Sequence, residues 1–251
     1  MLKIRDLHVT LNEKRVLSGV DLDLQEGESL IILGCSGTGK SVLLKTILGL
    51  LPKDSGTISV DGVDLDKATP EEETKVRHRM GMLFQGSALF DSLTLWENVA
   101  FGLIYGRKMP PEEAKPLALA AMEKVELDRK MASLMPASLS GGMQKRVGLA
   151  RTLILEPRMI FFDEPTTGLD PITSGIVNDL IVQAVKGLNI GSITITHDLN
   201  SVHKIADRIC FLFEGKIIWT GSLKGLDTTE NPYMRQFLDA KPSGPLTENR
   251  P

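Results

Sequence analysis

The chain has 251 residues, 42% of them hydrophobic and 24% charged, which suits one large globular domain or two small ones and excludes a disordered or collagen-like protein. A formal net charge of -3, from 29 basic and 32 acidic residues, offers no whole-molecule positive field to a nucleic acid, so any anion must be bound locally. Two cysteines, Cys35 and Cys210, are too few for a disulfide framework, and apolar runs such as 30–33 are too short to cross a bilayer, so the expectation is a protein of a reducing compartment that is neither secreted nor membrane-spanning.

In chain order, 2–11 and 20–24 read as strands separated by the polar turn 12–15, and 29–33 is a third apolar run. From Ser41, the residues Leu43, Leu44, Ile47, Leu48 and Leu51 keep helical spacing, with Gly49 and Pro52 ending the element. Residues 57–60 form a short strand closed by the hairpin pair Asp61-Gly62, 70–79 a charged helix opening on proline, and 80–84 another strand. Helical segments then follow at 96–103, 111–125 and 140–154, which reads as a helical subdomain inserted over about 86–156. Strand 159–162, helix 174–186, strand 192–196, helix 199–205 and hairpin 209–220, turning at Glu214-Gly215, restore the alternation of a parallel α/β sheet. A short helix at 232–238 completes a single domain of 1–240, and the polar stretch 241–251 is expected to be mobile.

Three stretches carry chemistry. Gly34-Cys35-Ser36-Gly37-Thr38-Gly39-Lys40-Ser41 has the glycines, lysine and serine of a P-loop, between a strand and a helix. The glycines let backbone N–H groups turn inward toward phosphate, and the following helix adds its positive end. Lys40 then reaches the β- and γ-phosphates, and the Ser41 hydroxyl ligates Mg²⁺. Next, the buried run 159–162 delivers Asp163 and Glu164 to the carboxyl end of a strand, where open α/β sheets bind ligands; Asp163 serves the metal, and Glu164 polarises a water for in-line attack. The third stretch, Leu139-Ser140-Gly141-Gly142-Met143-Gln144-Lys145-Arg146, offers a hydroxyl, bare N–H groups and a helix start to a second phosphate contact. One nucleotide does not need two such sites within one chain; a head-to-tail pair of chains, each closing the other's nucleotide, uses both.

With these residues the sequence resembles the ATP-binding cassette (ABC) transporter ATPases over nearly its whole length. The resemblance implies an α/β fold with a P-loop NTPase core, a mostly parallel sheet, an N-terminal antiparallel β subdomain and an inserted α-helical subdomain. It implies ATP and Mg²⁺ as cofactors, a Q-loop at Gln85 that reaches the metal and the attacking water, a catalytic base at Glu164, a D-loop through Asp170 and a switch histidine at His197. Ser140, Gly141, Gly142, Met143 and Gln144 are then the signature that contacts nucleotide in the partner copy. Where the family usually stacks adenine on an aromatic ring, this chain has Leu11, with Val16 near it, and Val42 stands where a hydroxyl residue often follows Ser41. Apolar contact from Leu11 or Val16 replaces part of that stacking at a loss of about 1 kcal/mol.

Residues 84–95, 168–174 and 231–238 look most like the ATPases of bacterial phospholipid transporters of the Mla type. That likeness implies a second copy of the chain, a separate transmembrane permease and an Mce-domain lipid-binding protein as partners, with no nucleic acid, at the cytoplasmic face of the inner membrane. Ala88, Leu89, Phe90 and Leu93 are expected to line a groove for a permease helix, and Tyr233 and Phe237 to anchor the C-terminal segment on its own domain or on the other copy. Two other readings share the nucleotide residues: the ATPase of a polar-solute importer, and a cassette that works as a nucleotide-gated binding module without a permease. A P-loop kinase fits worse, having no use for Ser140-Gly141-Gly142.

Overall fold

A computed structural model describes residues 1–247, arranged as two sheets with different hydrophobic patterns. The first sheet is antiparallel: β1 (Leu2–Leu11) lies between β2 (Lys14–Leu24) and β4 (Ser55–Val60), and β5 (Val63–Asp64) extends it in the order β2-β1-β4-β5. β2 starts six residues before the expected strand because Asn12 and Glu13, at φ 48° and 64°, make a two-residue turn that pairs Leu11 directly with Lys14.

The second sheet has six strands in the order β10-β9-β3-β8-β7-β6. In it β9 (Arg208–Phe213), β3 (Ser29–Leu33), β8 (Gly191–Ile195), β7 (Met159–Asp163) and β6 (Met80–Leu83) run parallel. β10 (Lys216–Gly221) returns antiparallel through Glu214 and Gly215, at φ 45° and 75°. The central strands are buried on both faces, as their continuous apolar runs require. Ile31, Leu33, Ile160 and Phe162 face one core, shared with the helical insertion; Leu30, Ile32, Phe161 and Ile193 face the other, shared with the antiparallel sheet.

Helix α1 (Lys40–Ile47) leaves the end of β3, and α2 (Pro70–Arg77) opens on a Thr69–Glu72 capping box. Between β6 and β7 the chain forms α3 (Leu95–Phe101), α4 (Pro111–Lys124) and α5 (Gly141–Leu153), capped by Ser140. A π-helical stretch, Gly102–Gly106, directly continues α3, where the sequence pattern suggested only α-helix. Helix α6 (Pro171–Gly187) begins three residues before the expected start, since Asp170 accepts from the Ile172 and Thr173 N–H groups and Pro171 takes the first helical position. After α7 (Leu199–Ile205) comes α8 (Leu223–Thr228), which the sequence reading left out, and α9 (Pro232–Leu238).

Part of the stretch expected to be mobile is instead packed. Leu246 is only 4% exposed, its N–H donates to Gln236 Oε1 at 2.7 Å, and the buried Gln236 amide donates to the Lys241 carbonyl at 3.2 Å. One apolar side chain and one fully used amide hold 241–247 in place; residues 248–251 lie outside the described residues. Tyr233 and Phe237 of α9 pack on Phe213 and Phe211 of β9, with ring centroids 5.2 and 5.3 Å apart, so the segment rests on its own domain. Among the described residues, no helix is long and apolar enough to cross a membrane.

Candidate functional site

The loop between β3 and α1 owes its path to glycine. Gly34 has φ 152°, and a β-carbon there would sit 2.3 Å from the Leu212 carbonyl oxygen. Gly39 has φ 101° and caps α1 without a side chain, leaving the first N–H groups of the helix to an incoming anion. Val16 lies against Gly39, 3.0 Å from where its β-carbon would be, whereas Leu11 packs on the core beside the antiparallel sheet. Lys40 is nearly buried, and its Nζ donates to the Gly34 and Cys35 carbonyls at 2.7 and 2.8 Å. Thr38 Oγ1 also donates to the Cys35 carbonyl, at 2.9 Å, which draws the loop into a tight cup. Burial pushes the Lys40 ammonium below its ordinary pKa, while the carboxylates of Glu164 and Asp163 and the Cys35 thiol pull it back up.

The end of β7 meets this loop. Ser41 Oγ donates to Asp163 Oδ1 at 3.2 Å, joining residues 122 positions apart. Asp163 is 8% exposed; burial pushes its carboxyl pKa up, the Ser41 hydrogen bond opposes the rise and the neighbouring Glu164 adds to it. Glu164 has φ 50°, an uncommon left-handed conformation for a residue with a β-carbon, fixed by its N–H donating to the Ile195 carbonyl at 3.0 Å. Its carboxylate accepts from Thr167 Oγ1 at 2.8 Å and lies 2.9 Å from His197 Nδ1, in the turn after β8. The ring is mostly exposed and Nδ1 faces the acid, so Nε2 is turned to other partners.

Gln85 follows β6 with its side chain exposed. Its carbonyl accepts from Nζ of Lys145, a buried residue of α5 whose ammonium also lies 3.3 Å from the Glu164 carbonyl. Ser140 caps α5 by accepting from the Met143 N–H, Gln144 donates to the Pro136 carbonyl at 3.2 Å, and Gly141 and Gly142 pass close to Leu169 and Thr173. Among the described residues, no side-chain hydrogen bond or ion pair links Ser140–Gln144, at the start of α5, to the Gly34–Ser41 loop.

Lys40, Ser41, Asp163, Glu164 and His197 therefore converge at the carboxyl edge of the parallel sheet, while Ser140–Gln144 stand apart on the helical insertion. Compared with known proteins, residues 17–167 match the family model of the ABC transporter. This chain belongs to the ABC transporter family. The ABC ATPase is 37% identical over 98% of its length to the intermembrane phospholipid transport system ATP-binding protein MlaF of Haemophilus influenzae, covering 93% of that protein. It is 37% identical over 98% of its length to protein TRIGALACTOSYLDIACYLGLYCEROL 3, chloroplastic, of Arabidopsis thaliana, covering 75% of it. To the probable ribonucleotide transport ATP-binding protein mkl of Mycobacterium leprae it is 35% identical over 98% of its length, covering 70% of that protein. A dimeric ATP-binding cassette solved in a post-hydrolysis state with ADP and Pi has the same fold, with a TM-score of 0.79 at 32% identity, covering 89% of this chain and 99% of that one.

Two buried residues beside this site, Lys145 within the 139–146 stretch and Asn98, have no role that the sequence assigns. Lys145 stands in a stripe of buried positions, Gly142, Lys145, Leu149 and Thr152, and a lysine at helical spacing among buried residues was the available signal. Asn98, with no exposed surface, accepts from the Phe90 N–H at 2.8 Å and donates to the carbonyls of Phe90, Leu93 and Thr94, which shapes the segment after Gln85. No local pattern marks it, since every one of its partners depends on the fold of that segment.

Proposed function

We propose that this ABC ATPase binds ATP with Mg²⁺ between two copies of itself, hydrolyses it with Glu164 as general base, and drives phospholipid movement by a separate permease. The convergence of Lys40, Ser41, Asp163, Glu164 and His197 on one sheet edge carries the reading. The Gly34–Ser41 loop cradles the phosphates with its N–H groups, and the Lys40 ammonium neutralises β- and γ-phosphate charge. Ser41 and Asp163 would hold Mg²⁺ together with phosphate oxygens, a donor set of one hydroxyl and one carboxylate that suits this metal; it would draw off charge developing on the phosphates. The Glu164 carboxylate, fixed by Thr167, takes a proton from the attacking water, and His197 donates to the γ-phosphate. Gln85 senses the attacking water from the segment that faces the permease. Ser140, Gly141 and Gly142 of one copy close over the γ-phosphate of the other in a head-to-tail pair, with Asp170 beside the junction.

For the permease, an exposed aromatic row supports a docking surface next to Gln85: Phe90 stacks on Phe101 and Phe101 on Tyr105, with centroids 4.3 and 4.7 Å apart. Phe90 and Tyr105 remain 42% and 56% exposed, so the expected groove at Ala88, Leu89, Phe90 and Leu93 gains two rings from α3 and its π-helical extension. The names of the MlaF and trigalactosyldiacylglycerol relatives support a lipid cargo; an Mce-domain partner and the cytoplasmic face of the inner membrane rest on the likeness of 84–95, 168–174 and 231–238 to Mla-type ATPases. The name of the mycobacterial relative supports a polar-solute importer as the second reading.

Two experiments test this. Glu164→Gln should bind ATP and hold the paired state while hydrolysis falls by at least about 100-fold, and normal hydrolysis in that variant removes Glu164 as the base. Purification from native membranes should bring down a multi-span permease, an Mce-domain protein and phospholipid; a solute permease in their place establishes the second reading.

A further inference from the structure

The ammonium of Lys145 reaches three parts of the site at once. It belongs to α5, the helix that opens with Ser140-Gly141-Gly142; it donates to the carbonyl of Gln85; and it lies 3.3 Å from the carbonyl of Glu164. With only 4% of its surface exposed, it is far from an ordinary solvated lysine. Burying an ammonium costs several kcal/mol unless its donors are used and opposite charge is near; burial pushes the Lys145 ammonium below its ordinary pKa, the Asp163 and Glu164 carboxylates oppose that shift, and two carbonyls accept its hydrogen bonds.

Both partner carbonyls belong to strained or irregular backbone. Glu164 is left-handed at φ 50°, held through its N–H by Ile195 and through its carbonyl by Lys145 and the Thr167 N–H. Beyond Gln85, Ser87 and Ala88 are left-handed too, at φ 60° and 48°, and Arg151, six residues along α5, donates to both of their carbonyls at 2.7 Å. Gly148, between the two cations, lets the helix approach so closely that a β-carbon would lie 2.7 Å from Leu83. α5 thus grips 85–88 at two points, and only Lys145 extends the grip to Glu164. Conformations of this kind persist where the surroundings over-determine them.

We propose that Lys145 is a positioning residue for hydrolysis: by tying the Gln85 and Glu164 carbonyls to the signature helix, it sets where the Glu164 carboxylate points and passes any displacement of Gln85 or α5 to it. The inference rests on the assignment of Glu164 as base. Both hydrogen-bond partners of the Lys145 ammonium are backbone carbonyls, so it acts through the backbone of the residue assigned as base. A placement error of about 1 Å at a reacting group costs on the order of 100-fold in rate while leaving binding intact, which sets the expected size and separates this role from a purely structural one.

The test is steady-state ATP hydrolysis by Lys145→Met and Lys145→Gln, with fluorescent-nucleotide affinity and thermal unfolding on the same samples. Because both acceptors are neutral carbonyls, a neutral donor should serve in part. Lys145→Met, which has no donor, is expected to lose about ten- to 100-fold in kcat with KM and nucleotide affinity within about twofold of the unaltered chain. Lys145→Gln, whose shorter amide reaches one of the two carbonyls, should lose about three- to tenfold. A folded variant of either kind with kcat within 1.5-fold of the unaltered chain on the order of assay scatter, or with kcat and affinity falling together, overturns the proposal. Should Lys145→Met fail to fold, Lys145→Gln decides alone. Glu164→Gln in the same assay separates the two claims: if it still hydrolyses ATP, the assignment of the base fails, and if it is inactive while both Lys145 variants are not impaired, only the positioning role fails.

Discussion

The approach of α5 to α6 at Gly142 makes a quantitative prediction. A β-carbon on Gly142 would lie 2.2 Å from Thr173 Cγ2, and the next nearest atom, Thr173 Cβ, is at an ordinary 3.7 Å. Gly142→Ala therefore meets one methyl group. That methyl is not free to swing away, because Thr173 Oγ1 donates to Asp170 Oδ2 at 2.5 Å and rotation of the side chain would break a hydrogen bond to a carboxylate, worth about 1.5–3 kcal/mol. Moving the helices apart costs about 1–3 kcal/mol instead. Alanine recovers up to about 1 kcal/mol through its better helix propensity, which leaves a net loss of up to about 2 kcal/mol when that recovery is complete. Thr173→Ser removes Cγ2 and keeps the hydroxyl, so in that background Gly142→Ala should be neutral or slightly stabilising. Urea unfolding of the four proteins gives the coupling, expected at about 1–3 kcal/mol because the propensity gain cancels, or about 2–12 °C in Tm for a chain of this size. Effects that add to within about 0.5 kcal/mol would show that Thr173 does not confine Gly142, and the packing argument for that glycine would be refuted.

Lys40→Ala should lower ATP turnover or affinity by at least about tenfold, since each hydrogen bond to a charged group is worth about 1.5–3 kcal/mol; unchanged activity rules out the loop as the phosphate site. Asp163→Asn should abolish hydrolysis yet raise Tm measured without nucleotide or metal. Burial raises the Asp163 pKa, so its ionised form weakens the fold at neutral pH; at lower pH the acid is protonated and uncharged like asparagine, and the Tm gap should close. A lower Tm for Asp163→Asn at neutral pH would contradict that sign. Gln236→Leu should cost about 1–3 kcal/mol by leaving the Leu246 N–H without its acceptor, and should speed proteinase K cleavage within 241–247; an unchanged cleavage rate would mean that the segment is held by other contacts.

Local chemistry made much of this fold readable from sequence. The run 29–33 followed by glycines, and 159–163 followed by Glu164, announce their strands and turns because a strand buried on both faces has no polar position to confuse the pattern. The start of α6 was misjudged because its first turns are solvent-facing, with Ile172 79% exposed, so apolar spacing begins late; the cap at Asp170 and the proline after it were the better guide. The six-residue α8, interrupted by Gly225, offers too short a run for periodicity. At the site, the meeting of Ser41 with Asp163 follows from strand ends that share a sheet edge, but the grip of Lys145 on Gln85 and Glu164 joins positions 60 and 19 residues apart through backbone carbonyls, which carry no residue identity to be read. The packing of Leu246 is similar: one apolar residue in a polar stretch finds its acceptor only once α9 exists.

The division of the molecule into two cores bears on how it opens. β3 sends Ile31 and Leu33 into one core and Leu30 and Ile32 into the other, and it is paired on both edges, with β8 and β9. To expose its amides, both layers must come away, so hydrogen exchange at 30–33 should require the full free energy of unfolding. The helical insertion borders one core alone, and its amides can exchange through partial openings. The Gly34–Ser41 loop and the turn that carries Glu164 both hang from strands held in two cores, so the loop and the acid beside it are expected to keep their shape while the helical insertion opens.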